Sequence, residues 1–379
     1  MKIYDYIITG AGLSGLMLAY RMSQDAFFED KSILIIDKTK NQTNNRTWCF
    51  WEQDDGEWNN LLHKSWPKIF FGSPGFSEKI DIAPYCYKML RSARLYDYFW
   101  QHIEQCNNMC FTSEEVSELI TDDHEVEVIT SHNRYKAKKV FNSILLNRTW
   151  KHQKRYPVLK QHFVGWFIKT KTPMFDDEVA TFMDFDIPQN QATRFMYILP
   201  TSKHEALFEY TLFSENLLKE EIYDAAISKY LKEKNITDYE IVEKEKGAIP
   251  MSCYQFWEAN TKNVVHIGTA GGWTKASTGY TFKNTSKKTV ELINFLKTTS
   301  DFRSFTKRSK FWFYDLLLLD VLSKHNDDGH RLFSSLFKKT PVTTIFKFLD
   351  EESSYLEDLK IITAVPPGRF VKALLKRLF

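Results

Sequence analysis

Short apolar runs bounded by turn residues recur along the chain and predict strands at 4–9, 32–37, 125–130, 140–142, 163–169, 193–199, 205–213 and 264–267. Apolar positions at helical spacing predict helices over 13–22, 93–105 and 217–233, and another from 282 onward. Strands alternating with helices indicate an α/β chain carrying an inserted sheet. After about residue 300 the pattern turns helical and basic, in "SKFWFYDLLLLDVLSKH", "RLFSSLFKKTPVTTIFKFLDEE" and "PPGRFVKALLKRLF". Such helices either pack on the body with Lys and Arg outward or lie at a membrane interface.

One stretch breaks its own pattern. In "EALFEYTLFS", residues 205–214, counting by twos puts Glu209 with Leu207, Thr211 and Phe213, and puts Ala206, Phe208, Tyr210 and Leu212 on the other side. Both faces are largely apolar, as in a strand buried on both sides. An acid there is either half of a structural ion pair or a functional carboxyl group.

The N-terminal "YDYIITGAGLSGLMLAYRMSQ" is a strand, Gly10, Gly12 and Gly15, then an amphipathic helix. A second strand, "SILIID", ends in Asp37, near the spacing of an acid that accepts a ribose hydroxyl. Gly10 permits the tight turn, Gly12 lets backbone N–H groups reach a pyrophosphate, and Gly15 lets helix and strand pack closely. Leu13, at the helix start, and Lys38, beside the acid, complete this dinucleotide site. Far along the chain, a strand at 264–267 runs into Gly268, Thr269, Ala270, Gly271 and Gly272, a second place where backbone can approach a ligand. Flavoproteins of the glutathione-reductase-like superfamily place a comparable segment against FAD, usually with Asp where Thr269 stands. That similarity favours FAD over NAD and implies a discontinuous nucleotide domain. Arg91 and Arg94, at the start of a helix, are either pyrophosphate contacts or surface arginines.

Composition narrows the classes. The 379 residues suggest two or three lobes. A net charge of +3, from 51 basic and 48 acidic residues, gives no global case for nucleic acid. The five cysteines show no paired metal spacing and the N-terminus opens directly into a strand, so no metal and a cytoplasmic location are expected. No run is long enough to span a bilayer. With 30 Phe, 18 Tyr and 10 Trp, the chain can line a long apolar cavity or build a large ordinary core.

Several segments, in order, resemble the FAD-dependent lycopene beta-cyclase family of carotenoid biosynthesis: "NNRTWCFWE" (44–52), "FMDFD" (182–186), "RFMYILPTSKHEALFEYT" (194–211), "GAIPM" (247–251) and "IGTAGGWTKASTGYTF" (267–282). Two departures stand out: Lys275-Ala276 where the family often has His-Pro, and Tyr210 where an acid or amide often follows the motif glutamate. The resemblance implies a glutathione-reductase-like FAD/NAD(P)-binding Rossmann fold over 1–75, 93–150 and 255–300. It also implies a mixed-sheet substrate domain over 76–92 and 151–254, and a helical, membrane-facing region over 301–379.

The implied reaction closes the linear ψ-ends of lycopene to β-ionone rings, through gamma-carotene to beta-carotene, without net redox change. FAD acts in its reduced form, with NAD(P)H as external reductant, and the protein sits peripherally on the inner face of the membrane. Glu209 is then the proton donor, with Asp184 and Asp186 either assisting or forming a turn. Arg46 either helps bind cofactor or braces the sheet, and Thr278 and Gly279 join the cofactor set. Trp48, Phe50 and Trp51 are core or pocket wall. The rival readings are a flavin-dependent hydroxylase or prenyl-chain reductase, and a membrane-associated carotenoid-binding protein.

Overall fold

Three sheets and a C-terminal group of helices carry the fold in the computed structural model, which describes residues 2–40, 43–53, 55–147 and 149–378. The first sheet is built on the parallel strands Ile3–Thr9, Ile33–Asp37, Met109–Ser113 and Arg134–Asn142. Its central strands are buried on both faces, which explains their unbroken Ile and Leu runs. Arg134–Asn142 splits its far edge: its first half pairs antiparallel with Val126–Thr130, and its last three residues pair parallel with Val264–His266. The segment after 264 thus returns beside the N-terminal strand, as a discontinuous nucleotide unit requires.

The second sheet holds seven strands in the order Tyr239–Met251, Leu159–Thr170, Glu205–Ser214, Thr193–Pro200, Val179–Asp184, Lys68–Ser73 and Phe76–Asp81. The chain therefore crosses into this sheet by residue 68, earlier than the boundary at 75 expected from sequence. Lys68–Ser73 runs parallel to Val179–Asp184, a partner more than 100 residues away that local pattern does not reveal. Tyr85–Arg91 belongs instead to a small sheet with Thr47–Gln53 and Lys64–Trp66, which bridges the two large ones.

The two faces of Glu205–Ser214 bury different cores. Phe208, Tyr210 and Leu212 pack under the helix Glu220–Glu233, against Tyr223, Ile227 and Tyr230. Leu207 and Phe213 join a larger cluster with residues of the C-terminal helices Lys310–Leu322, Gly329–Lys339, Val342–Leu349 and Tyr355–Ala364. No helix among the described residues is long and apolar enough to cross a membrane.

Candidate active site

The helix Leu13–Ser23 begins at Gly12 with no side chain capping its first turn, so the N–H groups there face an open cleft of about 280 Å³ lined by Gly12, Leu13, Ser14, Arg46, Gly268 and Thr269 among others. A Cβ on Gly12 would meet nothing within 4 Å, because it would point into that cleft. Gly10 has a φ of +94°, and a Cβ on Gly15 would lie 1.9 Å from the Gly10 carbonyl oxygen, so each glycine has the role its spacing predicts. The uncapped helix N-terminus and the glycine-walled opening fit a pyrophosphate. These residues are suited to hold FAD.

Asp37 ends its strand as predicted, but one of its oxygens accepts from the Ala11 N–H at 2.6 Å, bracing the glycine turn. Lys38 is exposed. Ala270 and Gly271 lie in the short turn Gly268–Gly271, where a Cβ on Gly271 would come 2.1 Å from the His266 carbonyl oxygen. Arg94 donates to the carbonyls of Asn60 and Leu62 and lines neither the cleft nor the cavity next to it, so it braces a neighbouring turn. Arg91 likewise turns away, to Glu243 at 2.5 and 2.7 Å.

The cleft continues into a cavity of about 440 Å³, the two sharing Asn45, Arg46, Trp48, Thr269 and Thr281. Glu209 lines this cavity, along with Thr278 and Gly279. Its neighbours in register are Tyr197 on one side and Gly165 on the other. Around it stand Leu207, Phe213, Phe182, Phe195, Phe333 and Tyr280. Glu209 is 7% exposed, and the described charge partner nearest its environment is another acid, Glu245. Burial, reinforced by the Glu245 charge and only partly offset by a hydrogen bond from the Thr211 hydroxyl, pushes its carboxyl up to about 8. Such a group is a reservoir for a proton at neutral pH.

Tyr197 adds a polar wall to this apolar room. Its hydroxyl lies 2.6 Å from that of Tyr87, which lies 3.5 Å from that of Tyr280. Burial pushes all three phenols upward, so they stay neutral and present ring faces.

Asp184 is placed elsewhere, against the expectation that it assists Glu209. Its carboxylate accepts from the Tyr230 hydroxyl at 2.6 Å and from the Asp186 N–H at 3.0 Å, and it does not line the cavity. Asp186 is exposed. Asp184 thus ends its strand with a structural tie to the helix Glu220–Glu233, and Asp186 begins the turn that follows. The acid that does stand near Glu209 is Glu245, which the sequence reading passed over.

The signature "RTWCFW" divides along its length. Arg46 and Trp48 line both cleft and cavity, whereas Phe50 stacks on Phe282 at 4.8 Å and Trp51 on Phe346 at 4.4 Å. The Trp51 indole also donates to Asp350 at 2.8 Å, fixing the C-terminal helices to the small sheet.

A second, almost wholly apolar cavity of about 300 Å³ lies among those helices and shares Phe182, Met183, Thr278, Tyr280 and Phe333 with the first. Its outer rim includes Ile362 and Val371, which are also exposed at the surface. Glu209 thus stands between a polar cleft and an apolar passage. Among the described residues, no cluster of His, Cys, Asp or Glu is placed to hold a metal ion.

Comparison with known proteins gives a consistent setting. Residues 5–375 match the family model described as lycopene cyclase protein. The chain is 25% identical over 298 residues to a lycopene beta-cyclase of Pantoea ananas, spanning 73% of this chain and 70% of that one. It is 24% identical over 290 residues to one of a Paracoccus species, with the same coverage. Among solved structures, a geranylgeranyl bacteriochlorophyll reductase-like protein of Thermoplasma acidophilum superimposes with a TM-score of 0.65 at 11% identity over the whole of both chains. A flavin-dependent brominase does so with a TM-score of 0.59 at 13% identity over 99% of each. At such identities the structural likeness establishes the fold alone, that of FAD-dependent oxidoreductases and halogenases.

Proposed function

Since the chain belongs to the lycopene cyclase family, we propose that it protonates and closes the ψ-ends of lycopene to β-ionone rings, by way of gamma-carotene to beta-carotene, with no net redox change. The observation that carries this reading is a buried carboxyl group, Glu209, whose surroundings favour its protonated form, on an apolar cavity that opens into the glycine-walled cleft.

Glu209 delivers its proton to the terminal double bond of a chain end lying in the cavity. The ring then closes and leaves a cation on the substrate. Reduced FAD in the adjoining cleft, kept in that state with NAD(P)H as external reductant, would supply negative charge to stabilise that cation. Phe182, Phe195, Phe213 and the phenols of Tyr197 and Tyr280 keep water away and offer ring faces to the positive charge. Arg46, Leu13, Thr269 and the glycines of both segments would hold the cofactor. The rest of the polyene would extend through the apolar passage among the C-terminal helices, whose exposed apolar side chains would rest on the cytoplasmic face of a membrane.

Product analysis decides among the readings. Purified protein with FAD kept reduced is expected to convert lycopene to a ring-closed product of unchanged mass. Added hydrogen or oxygen would indicate a reductase or hydroxylase, and absence of conversion a binding protein.

A further inference from the structure

Resting on the cyclase reading above, we propose that Glu245 is the base of the reaction: its carboxylate takes the proton from the ring cation and returns it to Glu209. Glu209 and Glu245 lie on different strands, and each stands directly opposite Gly165 on the strand between them. Residues opposite one another share a sheet face, so both carboxyl side chains rise from the same side. A methyl group on Gly165 would come 2.8 Å from Leu207 Cδ1, 3.2 Å from Glu245 Cγ and 3.5 Å from Glu209 Cβ. Glycine thus lets the Leu207 side chain and both acids crowd over this one position, and both acids line the same cavity.

Their surroundings are unequal. Burial acts most strongly on Glu245 and raises its carboxyl pKa, as it does for Glu209. Against burial, the Thr47 hydroxyl donates to Glu245 at 2.8 Å and the guanidinium groups of Arg91 and Arg46 favour its ionised form, while Glu243, which opposes ionisation, is itself held by Arg91. Among the described residues, Glu209 receives the Thr211 hydroxyl and faces Cys49 and Tyr280, which stay neutral. A pair of acids holding one proton therefore keeps it on Glu209 and leaves Glu245 as the carboxylate.

The step balances within the site. The Glu209 O–H bond breaks as its proton adds to the terminal double bond, and π electrons of a second double bond form the ring C–C bond. A C–H bond beside the resulting cation then gives its electrons to the ring double bond and its proton to a Glu245 oxygen. That proton then passes to the Glu209 carboxylate on the wall of the same cavity. No oxidant, reductant or net proton is consumed, and no water has to enter.

The test is Glu245→Gln, assayed as holoenzyme with reduced FAD, on ordinary lycopene and on lycopene deuterated at the carbon that loses the proton. Flavin content and circular dichroism are expected to match wild type. Cyclisation is expected to fall at least ~10²-fold, the low end for general acid–base catalysis, with a primary deuterium isotope effect larger than that of wild type because proton loss has become slow. Glu245→Asp should recover part of the rate. A near-wild-type rate, a slow rate with an unchanged isotope effect, or loss of flavin and fold would each overturn the role of base. None of these would touch the cyclase reading, which stands or falls with conversion by the wild-type protein.

Discussion

Lys275 and Asp315 form a buried ion pair at 3.2 Å, with their side chains 1% and 6% exposed. Lys275 stands in the segment that lines the cavity at Thr278 and Gly279, and Asp315 is on the helix Lys310–Leu322. Glu351 closes the group at 3.2 Å from the same ammonium. Burial works against the lysine's charge, but the two carboxylates hold its pKa above the ordinary lysine value. The Lys275-Ala276 departure from the family pattern thus ties the cofactor-side loop to the C-terminal helices.

Lys275→Met leaves Asp315 buried without its partner. Unfolding followed by urea or heat is expected to show a loss of about 3–5 kcal/mol, the usual cost of breaking a buried pair from one side. Lys275→Met combined with Asp315→Asn removes the stranded charge and should recover part of that loss. Equal stability of the single variant and wild type would mean the pair contributes nothing.

Gly12→Val separates cofactor binding from folding. The added side chain meets open space in the protein, so the variant should fold. It fills the cleft where a pyrophosphate would approach the helix N-terminus. Purified variant should therefore lack FAD absorbance while wild type carries it noncovalently. Full flavin content in a folded variant would remove the basis for placing the cofactor there.

Membrane association is expected to run through one face. Leu356 and Leu359 on the helix Tyr355–Ala364, and Val371 and Leu375 on Pro367–Leu378, are each more than half exposed. Val371 also lines the apolar passage, and Lys360, Lys372 and Lys376 are exposed on these same helices. Replacing Leu356, Leu359 and Leu375 together by Glu should abolish sedimentation with anionic liposomes at low salt and leave flavin content intact. Equal sedimentation of variant and wild type would assign these residues to structure alone.

How far the sequence reached is visible in the two acids. Glu209 was legible because a charged residue in a strand apolar on both faces is a local contradiction, and both faces are indeed buried against separate cores. Glu245 was hidden in "YEIVEKEKGAIPM", an edge strand whose outward lysines and acids make the run look solvated throughout. Counting by twos back from Ile249 and Gly247, which line the cavity, reaches Glu245 and would have found it. Asp184 failed for the opposite reason. Its motif context drew attention, but its partner Tyr230 lies 46 residues away on a helix, a contact no local pattern encodes. The glycine fingerprint transferred best because each of its requirements is steric and local. Arg94 had no such constraint to fix where its long side chain would point.

The most direct test is the rate of lycopene cyclisation by Glu209→Gln relative to wild type, with reduced FAD in detergent or liposomes, across pH. Glutamine keeps the size and polarity of the side chain but cannot deliver a proton. Because burial holds the Glu209 proton up to a pKa of about 8, wild-type activity should fall about tenfold per unit as pH rises above that value. The folded protein also binds this proton more tightly than the unfolded chain, whose ordinary value is 4.5. Stability contributed at Glu209 therefore declines as pH rises from about 4.5 to about 8, and Glu209→Gln should remove that decline. The expected result is a folded, flavin-bearing variant whose cyclisation is reduced at least ~10²-fold below about pH 8, where wild-type Glu209 holds its proton. A Glu209→Gln protein that closes rings at near the wild-type rate would contradict it and make Glu209 a structural residue.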